Sequence, residues 1–434
     1  MRLKRTGRWW LLVSLALLLV LSGLALRSGH LIALALPLLI VLAAGIYQGL
    51  DTRQLRLEVH RSLSRSQLPA GQPASVGLEV LNTGTDLDSV RLRDLTPLGL
   101  TVTSGETEHR GALAQTQRCR WEYTVQAERG LFEFGALRVQ VQDWLGLTQL
   151  ELDLPAPGRL AVLPRSVVLD PIAIRPRRTR VYAGTVKARE SGAGIEFFGT
   201  REYQPGDELR WINWKASARY QALGQAKLIS NAFEQERASD VGIVLDARQA
   251  SYLRDGQGLF EAAIVAAASV ASSLLESGNR VALLIYGDFL SWTMPGYGAR
   301  QQQKILQALT AARPGKSAVF AELDNLPVRL FPAGSQIVIL SPLLPDDPPF
   351  IEHLRARGYQ VLLISPDPIS FELPRLELRL PEVQLALRIA RLEREATLTR
   401  LRRAGVRVAN WEIERPLRAA LRTALARRWT RWAK

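Results

Sequence analysis

Residues 241–246 read Val-Gly-Ile-Val-Leu-Asp, an uninterrupted apolar run that ends on a carboxylate. Three similar apolar runs follow, and stretches with helical periodicity separate them. The runs are 280–285, 336–340 and 360–364, and the helical stretches are 258–275, 300–312 and 349–357. Strands that are apolar along their whole length and alternate with helices indicate a parallel sheet covered on both faces. A helix over about 382–403, a strand at 405–411 and a last helix from Pro416 complete the pattern, so we predict a doubly wound α/β domain over 238–434.

Polar residues stand at the predicted carboxyl ends of these strands. They are Asp246, Gly287, Asp288, Ser341, Ser365 and Asp367. Ligands of open α/β sheets bind outside the carboxyl ends of the strands. We therefore expect any site of this domain to lie among these residues.

The densest run of charges, aromatic residues and glycines precedes this domain. Residues 194–219 read GIEFFGTREYQPGDELRWINWKASAR, with a turn signal at Pro205-Gly206-Asp207. On a helix, Trp211 and Trp214 would share a face. The cations Arg210, Lys215 and Arg219 have Glu196, Asp207, Glu234 and Glu236 as candidate partners. The run is either an ion-paired connector between domains or a docking surface; catalysis is the weakest alternative because no nucleophile here has a nearby histidine base.

This run resembles the signature of a large bacterial family of unknown function, domain-of-unknown-function family fifty-eight. The residues that carry the resemblance, and that it implies bind a partner, are Glu196, Phe197, Arg201, Tyr203, Gly206, Asp207, Arg210, Asn213, Trp214, Ser217 and Arg219. Members of that family are typically encoded beside AAA+ ATPases of the MoxR type. The resemblance implies an adaptor or chaperone-like role in protein assembly or maturation, with such an ATPase as a partner.

The same resemblance implies a von Willebrand A-like fold for residues 238–434. In that fold an Asp-x-Ser-x-Ser motif after the first strand holds a divalent ion through hard oxygen ligands. Asp246 matches the aspartate, but Arg248 and Ala250 stand at the serine positions. A further aspartate expected after the third apolar run is replaced by Pro342, with two aspartates nearby at 346–347. We expect no working metal site and treat Asp246 as a degenerate candidate only.

Residues 53–165 change to a period of two. Val76, Leu78 and Val80 alternate with polar or small residues, and further short runs do the same between turn signals such as Asn82-Thr-Gly84. Short alternating strands at this spacing indicate an antiparallel, sandwich-like domain. This domain is either a binding module or a spacer that holds the next domain off the bilayer, and we favour the spacer.

Two uncharged apolar segments open the chain. Trp9–Leu26 spans 18 residues and Leu31–Leu50 spans 20, with only four residues between them. Helices of this length match the thickness of a bilayer core, so residues 1–52 are predicted to form a transmembrane helical hairpin. A cleaved signal peptide is the alternative, but its apolar region is shorter and is not followed by a second long one.

The formal net charge of +15 is concentrated at the two ends of the chain. Residues 1–10 carry four basic residues and no acid, and residues 386–434 carry thirteen Arg and one Lys against four Glu, a net +10. Basic residues flank both outer ends of the hairpin, and only Arg27 lies at its tip. The positive-inside rule then predicts an inner-membrane protein whose soluble domains face the cytoplasm. A folded nucleic-acid-binding face usually shows basic residues spread over it, so no nucleic-acid partner is expected.

The last predicted helix is basic and amphipathic. Its apolar face comprises Leu417, Leu421, Leu425, Trp429 and Trp432. Such a helix either lies on an anionic membrane surface or packs on the sheet with a solvated basic face. We favour the packed arrangement.

The remaining residue counts and motifs limit the chemistry. Cys119 is the only cysteine, and four histidines are scattered through the chain, which excludes an internal disulfide and leaves little material for a metal cluster. Pro314-Gly-Lys-Ser317 is not a P-loop, because Thr310 stands at the first glycine position and a helix precedes it. No cofactor is expected.

Together these features predict a hairpin (1–52), a β-rich domain (53–165), a connector with the family-like run (166–237) and an α/β domain (238–434). The predicted function is that of a membrane-anchored, non-enzymatic scaffold that binds other proteins. The alternatives are a metal-dependent protein or enzyme that uses Asp246, and binding of anionic lipid or nucleic acid by the basic tail.

Overall fold

A computed structural model of the chain describes residues 2–47, 54–172, 180–205, 207–223, 225, 227–238, 240–252, 257–317, 322–375 and 380–426. The chain divides into two compact units, Met1–Leu163 and Pro164–Lys434.

Two apolar helices, α1 (Gly7–Ala25) and α2 (Gly29–Tyr47), lie near the start of the chain. Both are long and apolar enough to cross a membrane, which confirms the predicted pair. The helices approach closely next to their short connection, where a Cβ atom on Gly23 would lie 2.7 Å from Cγ1 of Ile32. The second helix begins at Gly29 rather than Leu31, and residues 48–53 lie outside the described part of the chain.

The described strands of the first unit form two sheets. The strands are β1 (Arg2–Arg5), β2 (Leu57–Leu63), β3 (Gln67–Pro69), β4 (Ala74–Asn82), β5 (Leu87–Asp94), β6 (Thr101–Gly105), β7 (Glu108–Leu113), β8 (Arg118–Gln126), β9 (Gly130–Gln142) and β10 (Thr148–Leu163). One sheet has the order β1-β10-β9-β5-β7, with β3 parallel to β10, and the other has the order β2-β4-β8-β6. Alternate residues such as Val76, Leu78 and Val80 are buried, and the buried residues of both sheets form one hydrophobic cluster.

The helices and the sheets of the first unit are joined by a strand that no pattern in the sequence predicts. Within residues 1–52, β1 pairs antiparallel with β10, in register from Arg2 to Arg5. The next residue, Thr6, donates its backbone N–H to the Leu147 carbonyl at 3.0 Å. Leu147 is buried against Trp9 and Leu42 of the two helices. The turn between β9 and β10 is therefore packed on the helical hairpin.

The second unit contains the remaining elements. The strands are β11 (Arg180–Glu202), β12 (Ile229–Ala238), β13 (Asp240–Asp246), β14 (Arg280–Tyr286), β15 (Leu290–Gly296), β16 (Gln336–Leu340), β17 (Gln360–Pro366) and β18 (Arg407–Trp411). The helices are α3 (Trp214–Ala222), α4 (Gln257–Glu276), α5 (Gly298–Ala311), α6 (Pro348–Ala356), α7 (Pro368–Glu372), α8 (Pro381–Arg403) and α9 (Leu417–Ala426).

The main sheet of this unit has the order β15-β14-β13-β16-β17-β18. All neighbouring strands are parallel except β15, which runs antiparallel to β14. Buried clusters lie on both faces of the sheet, as the apolar strands predict. A third helix, α4, is also long and apolar enough to span a membrane, but its apolar stretch is 83% buried and forms part of the core. Its apolar character therefore reflects packing against the sheet.

Two elements of this unit depart from the sequence expectation. Residues 180–202 and 229–238 form a two-stranded antiparallel ribbon, β11 with β12, where the sequence shows no clean periodicity. The partly exposed strand β15 also lacks the apolar pattern of its neighbours.

In the last helix, Leu417 and Leu421 are buried and Arg418 pairs with Asp170, as the packed arrangement requires. Residues 427–434, including Trp429 and Trp432, lie outside the described part of the chain.

Candidate functional site

The family-like run forms a small module between β11 and β12. Arg201 near the end of β11 pairs with Asp207, with Nη2 and Oδ1 2.6 Å apart. The other Asp207 oxygen accepts the backbone N–H of Gln204 at 3.0 Å. These hydrogen bonds, the one from Arg201 first, lower the pKa of Asp207 below its ordinary value. The carboxylate thus holds the turn that the Pro-Gly-Asp sequence predicts.

Asn213 and Ser217 fix α3 on the start of β12. The Asn213 side chain accepts the N–H of Ala216 at 3.0 Å as a helix cap and donates to Oδ1 of Asn231 at 2.9 Å. The buried Ser217 hydroxyl donates to the Asn213 carbonyl at 2.9 Å and accepts the N–H of Ile229, also at 2.9 Å. The side chains of Asn213 and Ser217 therefore hold α3 in place through hydrogen bonds within the module.

The outer side of this module is apolar and basic. Trp214 is 65% exposed although it is a large aromatic residue. We define the α3 surface as six exposed apolar and basic side chains of this module, which are Leu209, Trp214, Lys215, Arg219, Tyr220 and Leu223. Within the described part of the chain, Lys215 and Arg219 have no ion-pair partner. Exposed aromatic and apolar side chains beside exposed cations are typical of a surface that another molecule covers.

Several pairings expected from the sequence differ in the structure. Arg210 pairs with its near neighbour Glu208, and Asp207 is taken by Arg201. Trp211 lies in a 3-10 turn ahead of α3, so it does not share a helix face with Trp214. The spacing is misleading here because the helix begins only at Trp214.

Four further residues complete the set that the resemblance implies, Tyr203, Glu196, Phe197 and Gly206. Tyr203 donates its backbone N–H to the Leu228 carbonyl at 2.8 Å and is half-buried. Glu196 and Phe197 belong to β11 where only the backbone is described, and Gly206 lies outside the described residues.

Two of the predicted strand-end residues, Asp246 and Ser341, meet at the point where the strand order of the main sheet reverses, between β13 and β16. Asp246 at the end of β13 is fully buried. Its Oδ1 accepts the backbone N–H and Nε of Arg248 at 2.9 and 3.0 Å. Its Oδ2 accepts Nη2 of Arg248 at 2.9 Å and the hydroxyls of Ser251 and Ser341 at 2.7 and 2.6 Å.

The same guanidinium binds a second buried carboxylate. Nη1 and Nη2 of Arg248 donate to the two oxygens of Asp347 at 3.0 and 2.7 Å. We call Asp246, Arg248, Ser251, Ser341 and Asp347 the switch-point cluster. Burial raises the pKa of Asp347, and the bonds and charge of Arg248 oppose that rise. Burial also disfavours the charged form of Arg248, but the two carboxylates outweigh it and raise the pKa of its guanidinium.

The sequence indicates only part of this cluster. Asp246 and Ser341 end apolar strands, so they could be placed at the carboxyl edge. Ser251 follows the strand by five residues, and Asp347 follows β16 by seven, in loops whose path no periodicity predicts. The sequence could have indicated Asp347 only indirectly, through Arg248. A buried arginine needs more than one hydrogen-bond acceptor, so a second carboxylate is expected near it.

The cluster does not fit the divalent ion that the von Willebrand A resemblance implies. The guanidinium of Arg248 lies between the two carboxylates, within 3.0 Å of both. The described residues include no group of three or more His, Cys, Asp or Glu side chains that could hold a metal ion. The position that a cation would take is filled by a side chain of the protein.

The remaining strand-end residues position loops and helices. Asp288 accepts the backbone N–H of Lys316 at 3.1 Å. Arg394 of α8 donates to the Ser365 hydroxyl at 3.0 Å and lies 3.1 Å from the Asp367 carboxylate. Burial lowers the pKa of Arg394, and the charge of Asp367 opposes that fall. The sequence does not indicate Arg394, which is one of many arginines in a basic helix.

A family described as "Protein of unknown function DUF58" matches residues 199–407 of this chain. The match begins near the end of β11, within the family-like run, and includes the switch-point cluster. A curated relative, "Uncharacterized protein YeaD" of Bacillus subtilis (strain 168), is 24% identical over 159 residues. The alignment covers 37% of this chain and 37% of that relative, so the chain spans well under half of its length.

Two solved structures are similar to about a quarter of the chain. A chain from the complex of zinc 2-glycoprotein with prolactin inducible protein, from human seminal plasma, is 12% identical with a TM-score of 0.20, and covers 26% of this chain and 98% of that chain. A FixG-related protein from Vibrio parahaemolyticus is 12% identical with a TM-score of 0.18, and covers 26% of this chain and 98% of that chain. Similarity at this level carries no functional argument.

Proposed function

We propose that this protein is a membrane-anchored, non-enzymatic adaptor that binds partner proteins through the α3 surface. The proposal rests on a contrast between buried polar and exposed side chains within one short module. Its polar residues Asn213 and Ser217 are used internally, whereas Trp214, Lys215 and Arg219 face outward without partners among the described residues. A well-held helix that displays a large aromatic residue is suited to recognition because little ordering is required on binding.

The proposed partner is a MoxR-type AAA+ ATPase. The match to family DUF58 supports this choice, since proteins that resemble that family are typically encoded beside such ATPases. The chemistry of the α3 surface adds a requirement: the docking region of the ATPase should combine an apolar pocket for Trp214 with acidic residues for Lys215 and Arg219.

The anchor is the helical hairpin of α1 and α2. We propose that it lies in the inner membrane, with the sheets of the first unit and the second unit on the cytoplasmic side, because basic residues flank its open end and Arg27 alone lies at its tip. We further propose a von Willebrand A-like fold for the α/β sheet, supported by its strand order and the single antiparallel strand β15. The filled switch point supports a binding role over a metal-dependent reaction.

Pull-down of the tagged, detergent-solubilised protein tests the proposal. The MoxR-type ATPase of the host should be recovered with the wild-type chain, as identified by mass spectrometry. Trp214→Ala and the double variant Lys215→Glu, Arg219→Glu should each lower the recovery at least about tenfold, the effect expected for losing about 1.4 kcal/mol of binding free energy.

Two matched controls separate the α3 surface from a general loss of charge or aromatic area. Trp144 is 59% exposed, so Trp144→Ala removes a comparable exposed tryptophan from the first unit. Arg300 and Lys304 form an exposed basic pair at the same spacing on α5. Recovery should be unchanged in Trp144→Ala and in Arg300→Glu, Lys304→Glu. Repeated absence of the ATPase with intact wild-type protein would refute the partner, and equal losses in the controls would refute the surface.

A further inference from the structure

The switch-point cluster contains the ligand atoms of a cation site arranged around an internal cation. Four carboxylate oxygens, from Asp246 and Asp347, surround the guanidinium of Arg248 at 2.7 to 3.0 Å. The Ser251 and Ser341 hydroxyls approach Oδ2 of Asp246 at 2.7 and 2.6 Å. Carboxylate and hydroxyl oxygens are the ligands that Mg²⁺ and Mn²⁺ take in proteins.

The charge balance requires a cation at this place. Two aspartates and one arginine leave a formal charge of −1 in a fully buried cluster, and without the arginine it would be −2. Two facing buried carboxylates cannot both stay ionised without a compensating positive charge. The nearest cation is supplied by the chain itself, two residues after Asp246.

We propose that the Arg248 guanidinium replaces the divalent metal at this switch point, and that Arg248→Ser opens a Mg²⁺ or Mn²⁺ site formed by Asp246, Asp347, Ser251 and Ser341. The inference concerns this cluster alone and does not depend on the adaptor role or on the α3 surface.

The replacement has a structural consequence, because the guanidinium connects loops as a metal would. Arg248 ties the loop after β13 to Asp347, whose Oδ2 also accepts the N–H of Leu344 at 2.7 Å. The residues on either side of Arg248 are hydrogen-bonded to a third loop. Gln249 donates its backbone N–H to the Gly315 carbonyl at 2.8 Å, and Gly315 donates its backbone N–H to the Ala247 carbonyl at 2.8 Å. A tethered cation cannot be removed by a chelator and leaves no open coordination position, so the edge of the sheet keeps its shape in any metal concentration.

Manganese titration followed by electron paramagnetic resonance tests the proposal on the full chain in detergent. The signal of free Mn²⁺ falls when the ion binds. Wild-type protein should leave the signal unchanged, and EDTA should not shift its melting temperature. Arg248→Ser should bind one Mn²⁺ per chain and should melt at a higher temperature with Mn²⁺ than with EDTA.

Two companion variants define what the result means. Arg248→Lys retains a cation and should bind no Mn²⁺. Arg248→Ser combined with Asp246→Asn removes a ligand and should lose the Mn²⁺ binding gained by the single variant. All variants are purified in parallel with Mn²⁺ and with EDTA, so that a chain that needs the metal to fold is detected.

The contradicting outcomes are equally specific. Stoichiometric Mn²⁺ binding by the wild type that is lost in Asp246→Asn would overturn the proposal. So would a folded Arg248→Ser chain that binds no more Mn²⁺ than Arg248→Lys. Failure of Arg248→Ser to fold with or without Mn²⁺ would also contradict it, because an exchange of one cation for another requires that the metal restore the fold.

Discussion

At the scale of single residues, a second buried ion pair shows how this chain uses its arginines. Arg61 and Asp94 form an ion pair, and both side chains are fully buried in the first unit. Tyr123 donates its hydroxyl to the other Asp94 oxygen at 2.5 Å, and the guanidinium lies over the Phe134 ring at 4.7 Å. Burial raises the pKa of Asp94, while Tyr123 and Arg61 oppose the rise. Arg61 flanks the hairpin in sequence, yet its charge is neutralised inside the sandwich.

Replacing Arg61 with alanine is expected to destabilise the first unit strongly. The change leaves the Asp94 carboxylate buried without its cation, which typically costs about 3–5 kcal/mol. Hydrogen exchange of the strands β2 and β5 in the full detergent-solubilised chain measures the loss. Arg159→Ala is the control, because Arg159 and its partner Glu133 are both exposed. Exposed ion pairs contribute only about 0–1 kcal/mol to the free energy of unfolding.

The destabilisation by Arg61→Ala should depend on pH. The folded-state pKa of Asp94 lies above its unfolded value, so its stabilising contribution is present below the unfolded pKa and is lost as the pH rises through the folded pKa. Without Arg61 the folded-state pKa of Asp94 rises further, so the free energy of unfolding falls by more as the pH rises. The stability difference between wild type and variant should be larger near about pH 7 than near about pH 4. An equal difference at both values would show that Asp94 is not the group responsible.

At the scale of elements, one close approach between α2 and the β9–β10 turn adds to the connection between hairpin and sheet. A Cβ atom on Gly45 of α2 would lie 2.7 Å from Cδ1 of Leu147, in the turn between β9 and β10. In the same turn, the Gly146 carbonyl accepts a hydrogen bond from the Thr6 hydroxyl at 2.7 Å. A larger residue at position 45 therefore requires the buried Leu147 side chain to shift, and the backbone angle at Gly45 is not unusual.

Gly45→Val is expected to separate this turn from the hairpin without removing the helices from the membrane. The added side chain collides with Leu147, which is buried against Trp9 and Leu42. Hydrogen exchange of residues 143–148 should rise severalfold, while the protein stays in the membrane fraction. Gly29→Val is the matched control, since a Cβ atom there meets nothing within 4 Å. Unchanged exchange in Gly45→Val would show that the turn is held by the β1–β10 pairing alone.

At the scale of the whole molecule, the charge of +15 divides into functionally different parts. Arg5 lies over the Trp9 ring at 4.1 Å beside the start of α1, and Arg418 pairs with Asp170 within the second unit. Arg394 and Arg400 of the basic C-terminal region likewise pair with carboxylates of their own unit. Basic composition by itself does not mark a nucleic-acid-binding surface here.

The proposed topology makes a direct prediction about chemical access. With Cys119→Ser as the background, Leu98→Cys places a thiol at a residue that is 98% exposed in the β-sheet unit. Ser28→Cys places one at the tip of the hairpin, between α1 and α2. A membrane-impermeant maleimide should label Ser28→Cys from the periplasmic side and should label Leu98→Cys only after permeabilisation. The reverse pattern would contradict a cytoplasmic location.

The sequence by itself determined the features that depend on local pattern. Uncharged runs of membrane length identify α1 and α2, a period of two identifies strands such as β4, and unbroken apolar runs identify β13, β16 and β17. Each of these patterns follows from one physical cause, the burial of apolar side chains in regular secondary structure. It also placed Asp246 and Ser341 at strand ends, which are two of the five residues of the switch-point cluster.

Only the tertiary structure decided which distant residues meet. Arg248 and Asp347 are 99 positions apart, and Arg61 and Asp94 are 33 apart, yet each pair shares a buried contact. The pairings of β11 with β12 and of β1 with β10 likewise rest on backbone hydrogen bonds between remote segments. Such contacts arise because a buried charge or an unpaired strand edge must find a partner, and the chain path that supplies that partner is set by the packing of the whole unit.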